Sequence, residues 1–201
     1  MLMEKPFRVG ITGGIGSGKS VVSRILRTFG YPVYDSDTRA RELMDTDTGI
    51  RQNLIATFGN ESYDSQGKLN RGFLAERIFG NPADRERMNA IVHPVVRADF
   101  ATWVNHQSSE LVFQESALLI ETGGYKLLDA TILVVAPAEE RVRRVMRRDQ
   151  TDQAAVRARI ESQMKDAEKL PVADYVIHND GRLLVIPQVL EILHDLPGSG
   201  L

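Results

Sequence analysis

Eight consecutive residues constrain this chain more than any others: Gly13-Gly14-Ile15-Gly16-Ser17-Gly18-Lys19-Ser20. They fill every fixed position of G-x-x-x-x-G-K-[ST]. The context matches the motif. An apolar β-type run, 7–12, leads into the glycines. A stretch with apolar residues at Val21, Val22, Ile25, Leu26 and Phe29 follows, which is helical spacing. Glycines let successive N–H groups turn toward one anion, and the start of the following helix adds partial positive charge. Gly14, Ile15, Gly16, Ser17 and Gly18 are therefore expected to cradle phosphates. Lys19 is expected to reach the β- and γ-phosphates, and the Ser20 hydroxyl to ligate Mg²⁺. The pattern implies a nucleoside triphosphate.

The rest of the chain fits an α/β domain. Short apolar runs at 31–34, 110–120, 130–136 and 175–177 alternate with helical patterns, ending in one over 183–193. Several lack the two-residue alternation of half-exposed strands, as strands covered on both faces do. The expected fold is thus α/β, a parallel five-stranded sheet with helices on both faces. Residues 39–107 show helical patterns and no convincing buried strand, so they read as a helical insertion. The segment 197–201, Pro-Gly-Ser-Gly-Leu, reads as frayed.

Composition narrows the function. Cysteine is absent, which removes disulfides, thiol nucleophiles and cysteine-ligated metals, and fits a cytoplasmic setting. The opening residues lack the apolar core of a secretory signal. No apolar run approaches the roughly 20 residues of a membrane span. Lys and Arg total 25 against 27 Asp and Glu, a net charge of −2, so no global attraction to nucleic acid or a membrane is expected. Yet 141–159 holds seven arginines and two aspartates, a local excess of five positive charges that leaves −7 for the remainder. Because it follows a strand whose end faces the ligand crevice, this cluster reads as a lid closing on phosphates.

Asp35 and Asp37 follow the second strand, flanked by Arg39 and Arg41. Phosphoryl transfer to an alcohol needs a carboxylate for the hydroxyl proton and carboxylates near Mg²⁺. Helix capping is the competing reading for either aspartate. Asp64-Ser65-Gln66-Gly67 mimics a GTPase D-x-x-G but lacks a preceding strand, and no N-K-x-D is present. It reads as a surface turn. His106, His178 and His194 read as structural or surface residues, and by itself His93-Pro94 reads as a turn.

Taken in order, these motifs resemble the dephospho-CoA kinase family. The resemblance rests on the segment from Thr12 to Ser20, Asp35-Ser36-Asp37 with Ala40-Arg41, His93-Pro94, Leu118-Leu119-Ile120-Glu121, Arg144 with Arg148-Asp149, Gln163, and Ala173-Asp174 leading to Asn179. It makes the expected α/β sheet a P-loop kinase fold, and implies ATP-dependent phosphorylation of the ribose 3′-hydroxyl of dephospho-CoA, the last step of coenzyme A synthesis. It implies a nucleotide core of 6–38, 108–140 and 172–196, a CoA-binding insertion of 39–107, and a lid of 141–171. Asp37 is then the catalytic base, with Lys19 and Arg144 acting on the transferring phosphoryl group. Asn179 faces adenine. Asp35, Arg41, His93, Glu121 and Gln163 fall to substrate binding. A monomer is the expected assembly, with dephospho-CoA and ATP as partners. Ser36 departs from the usual alanine, and Glu115-Ser116-Ala117 stands where the family more often has a proline region, leaving Glu115 without an assigned role. The rival readings are another small-molecule P-loop kinase and a non-kinase nucleotide switch.

Overall fold

A computed structural model describes residues 5–78 and 80–200. Met1 to Glu4, Phe79 and Leu201 lie outside the described residues, so the absence of a signal at the first residues is not addressed. In chain order the elements are β1 (Phe7–Thr12), α1 (Lys19–Thr28), β2 (Val33–Asp35), α2 (Ser36–Thr46), α3 (Thr48–Phe58), α4 (Arg71–Ile78), α5 (Pro82–Asn105), β3 (Leu111–Glu115), β4 (Ala130–Val135), α6 (Ala138–Asp149), α7 (Gln153–Glu161), α8 (Asp166–Lys169), β5 (Tyr175–His178) and α9 (Val185–Asp195). They fall into two compact units. One is Ser36–His106, and the other is formed by the two flanking stretches.

The flanking stretches build a parallel five-stranded sheet in the order β2-β3-β1-β4-β5. Val9, Ile11, Leu111, Phe113, Ile132 and Val134 on one face and Val112 and Leu133 on the other are almost wholly buried, which explains why their runs lack alternation. On α1, Lys19, Val22, Ser23 and Leu26 form the buried stripe, at the spacing of one helix face. On α9, Val189, Ile192 and Leu193 complete the same core.

The apolar run 110–120 departs from the strand expected of it. Strand β3 stops at Glu115, and 117–123 is a turn closed by Thr122 N–H to Leu118 O and Gly123 N–H to Ile120 O, each 3.0 Å. The run is apolar because the turn is buried. Leu119 folds back over β1, where a Cβ on Gly10 would stand 2.4 Å from Leu119 Cδ2. The segment expected to fray is tied down at Ser199 among its described residues, 197–200. Leu196 is buried in the core, and the Tyr31 hydroxyl donates to the Ser199 carbonyl.

The helical unit has its own core, including Leu43, Ile50, Leu54, Tyr63 and Phe100. Asp47 caps α3 by accepting from Ile50 N at 2.7 Å, and Asn81 caps α5 by accepting from Asp84 N at 3.2 Å. Arg39 forks onto Asp99 at 2.8 and 2.9 Å. Asp64 accepts from the N–H groups of Gln66 and Lys68, and Gly67 has φ +79°, so the D-x-x-G segment is the expected turn. His93-Pro94 is not a turn. Both residues lie inside α5, which runs through the proline. An interior proline costs about 3 kcal/mol. Burial of Val92, Val96, Phe100 and Val104 at four-residue spacing offsets that cost.

Candidate active site

The glycine loop between β1 and α1 is shaped by contacts that leave no room for side chains. Gly13 has φ +147°, and a Cβ there would lie 2.3 Å from the Val134 carbonyl. Gly18 has φ +103° and opens α1. The Lys19 ammonium is buried and donates to Gly13 O at 2.9 Å, while Ser17 N–H donates to Gly14 O at 3.1 Å. Ser17 Oγ is buried without a hydrogen-bond partner. Ser20 lies exposed in the first turn of α1.

Three predicted residues converge on this loop from distant positions. Gln163 Oε1 accepts from Ile15 N–H at 2.8 Å. Arg144 donates to Gly16 O and Ser17 O, each at 3.4 Å, and to Asn179 O at 2.9 Å. Asn179 extends the β4–β5 ladder through its N–H to Val135 O, and its amide donates to Ser17 O at 2.8 Å. A Cβ on Gly18 would stand 2.0 Å from that amide nitrogen. The arginine cluster therefore contributes Arg144 to the nucleotide loop. Arg143, Arg147 and Arg148 are exposed.

Asp35 ends β2 and stands in register with Glu115 at the end of β3, which in turn pairs with Ile11 of β1. Two carboxylates thus share the C-terminal edge of the sheet, where α/β proteins bind ligands. Asp37, Arg41 and His93 belong to the helical unit, Asp37 and Arg41 on exposed positions of α2 and His93 half-buried in α5. Burial and the charge of Arg97 hold His93 below the usual histidine range.

Glu121 turns away from solvent. Both carboxylate oxygens are buried, and Oε1 lies 2.6 Å from the ammonium of Lys169, whose side chain is 0% exposed. The pair is close but not aligned as a hydrogen bond. Lys169, Arg141 and Asp166 were not distinguished by sequence reasoning. Arg141 sat unremarked among seven arginines, although its spacing to Val145 already placed it on the buried stripe of α6. Lys169 in Lys-Leu-Pro carries no local signature.

Comparison with known proteins gives one family. A family model described as dephospho-CoA kinase matches residues 7–184. A dephospho-CoA kinase of Bacteroides fragilis is 43% identical over 187 residues, covering 92% of this chain and 91% of the relative. A crystal structure of TT1252 from Thermus thermophilus superposes with TM-score 0.85 at 38% identity, covering 97% of this chain and all of that one. A dephospho-CoA kinase from Campylobacter jejuni shares the fold, with TM-score 0.68 at 24% identity over 94% of this chain and 96% of its own.

Proposed function

The chain belongs to the dephospho-CoA kinase family, whose reaction is the last step of coenzyme A synthesis with ATP as co-substrate, and we propose how its own residues divide that work. The observation that carries the division is the convergence of Lys19, Arg144, Gln163 and Asn179 on the glycine loop.

In this reading the loop N–H groups from Gly14 to Lys19 and the Lys19 ammonium hold the ATP phosphates. Arg144 stands at the loop, so its fork exchanges carbonyl partners for phosphate oxygens as charge builds on the transferring group. Asn179 serves the adenosine side, and Gln163 braces the loop. Arg41 and His93 are assigned to dephospho-CoA, whereas Glu121, expected there, has its carboxylate buried against Lys169 and acts on that substrate only through the turn it anchors. Asp37 takes the proton from the ribose 3′-hydroxyl as that oxygen bonds to the γ-phosphorus. The bond from the γ-phosphorus to the β–γ bridging oxygen breaks, and ADP leaves.

The residues present fit Mg²⁺. Ser20 and the paired carboxylates Asp35 and Glu115 are oxygen donors, the ligand type magnesium prefers. No group of three or more metal-binding side chains occurs among the described residues. Magnesium is usually held by one or two carboxylates with water and substrate phosphates completing its shell. When bound, it neutralises β- and γ-phosphate charge. No helix among the described residues is long and apolar enough to cross a membrane. Two highly charged, water-soluble substrates support a cytoplasmic assignment.

The test is Asp37→Asn. We expect unchanged ATP affinity by calorimetry and loss of phosphoryl transfer by a factor on the order of 10²–10⁴, the usual worth of a positioned general base. Wild-type turnover in that variant removes Asp37 from the mechanism.

A further inference from the structure

The glycine loop is gripped at Ile15 from both sides by the segment that follows β4, through the two peptides that flank that residue. Its Ile15 N–H is taken by Gln163, just beyond α7, at 2.8 Å. Its Ile15 carbonyl accepts from Arg141 Nε at 2.9 Å. The Arg141 side chain is only 8% exposed and reaches Asp166 Oδ2 at 3.4 Å, while Asp166 Oδ1 is buried without a hydrogen-bond partner. Burying a guanidinium costs several kcal/mol unless its donors are matched. Here Nε is matched by the loop on one side and Nη1 by α8 on the other.

Gly14 reports the same contact. Unlike Gly13, Gly16 and Gly18 it has no positive φ, so backbone conformation does not demand glycine there. Space does. A Cβ on Gly14 would stand 2.0 Å from Arg141 Nη2 and 2.5 Å from Cζ. The guanidinium lies against the loop where a side chain would be.

We propose that Arg141 is a positioning residue for the donor nucleotide. It fixes the Ile15–Gly16 peptide through the Ile15 carbonyl, and so sets the direction of the loop N–H groups from Gly16 onward toward the phosphates. With Gln163 and Asp166 it makes that direction depend on α6, α7 and α8. The proposal rests on the reading that this loop holds ATP. Lysine cannot substitute, because a point charge does not span a carbonyl and a carboxylate lying on two sides of it.

The experiment measures ATP affinity by calorimetry and kcat and KM for each substrate, with thermal unfolding as a control. For Arg141→Gln we expect ATP Kd and KM to rise about tenfold, the worth of one charged hydrogen bond. KM for dephospho-CoA should stay unchanged, and Arg141→Lys should give no rescue. Gly14→Ala should show the same ATP-specific rise by displacing the guanidinium. Gly14→Ala combined with Arg141→Gln should be no worse than either alone, because both remove one contact. Should Arg141→Gln fail to fold, Asp166→Asn carries the test, with a smaller ATP-specific rise expected. Wild-type ATP affinity in these variants, multiplying effects in the double variant, or an equal rise in both KM values overturns the proposal. A wild-type protein that binds no ATP overturns the nucleotide reading together with it.

Discussion

The charged residues between 138 and 169 face two ways, and the two sets behave as different materials. The inward set is Arg141, Arg144, Asp166 and Lys169. Its partners outside the segment are carbonyls of the glycine loop and the buried carboxylate of Glu121, and Arg141 also reaches Asp166 within it. The outward set is Arg143, Arg148, Arg157 and Arg159, which pair with Glu140, Asp149 and Glu139 of the same segment. Composition treats these residues alike. Their environments do not. An outward pair gains little because water screens it, whereas an inward charge cannot lose its partner without being stranded.

The largest effect that could break this contrast is on Lys169. Lys169→Met strands the Glu121 carboxylate, whose oxygens are buried, and should destabilise the fold by about 3–5 kcal/mol in chemical unfolding. Adding Glu121→Met should recover most of that loss, since replacing a buried pair by apolar groups is often neutral. Activity still missing from the recovered double variant then measures what Glu121 contributes to substrate. A mild Lys169→Met with no recovery in the double would place this pair among the outward ones.

A middle-sized effect concerns acid. The hydrogen bond from Arg148, with the charges of Arg148 and Arg159, holds the Asp149 carboxyl below the usual carboxylate range. Its stabilising contribution is therefore complete above the unfolded carboxylate pKa and is lost as pH falls through the lower folded value. Asp149→Asn should flatten the acid limb of the stability curve by lowering stability at neutral pH, with little change in strong acid, where the wild type has already lost the contribution. An unchanged acid limb removes the arginines as the cause.

The smallest effect is expected for Arg157→Ala, whose pair with Glu139 is 43% and 73% exposed. It should cost no more than about 0.5 kcal/mol and vanish in high salt. A loss of several times that size would erase the distinction between the two sets.

The loop and its ligand class were legible in sequence because their chemistry sits in eight adjacent residues with a strand before and a helix after. Arg144 and Asn179 were legible by residue type, but their meeting was not, because 35 residues separate them. The inward pairs left no trace. Glu121 and Lys169 lie on either side of β4 and three helices, and nothing local to Lys169 differs from a solvated lysine. Two segments were misread for the same physical reason. Burial makes a turn such as 117–120 as apolar as a strand, and tertiary packing carried α5 across a proline that would end an isolated helix.

That proline has a mechanical consequence. Pro94 has no N–H, so the carbonyl of Ala90 lacks its rung in the helical ladder. A 24-residue helix is about 36 Å long, and its one missing rung lies near the middle. The neighbouring rungs and the buried side chains of Val92, Val96 and Phe100 hold the two halves of α5 in line across that gap. His93 immediately precedes it, so the imidazole sits where the rod has its thinnest backbone bonding.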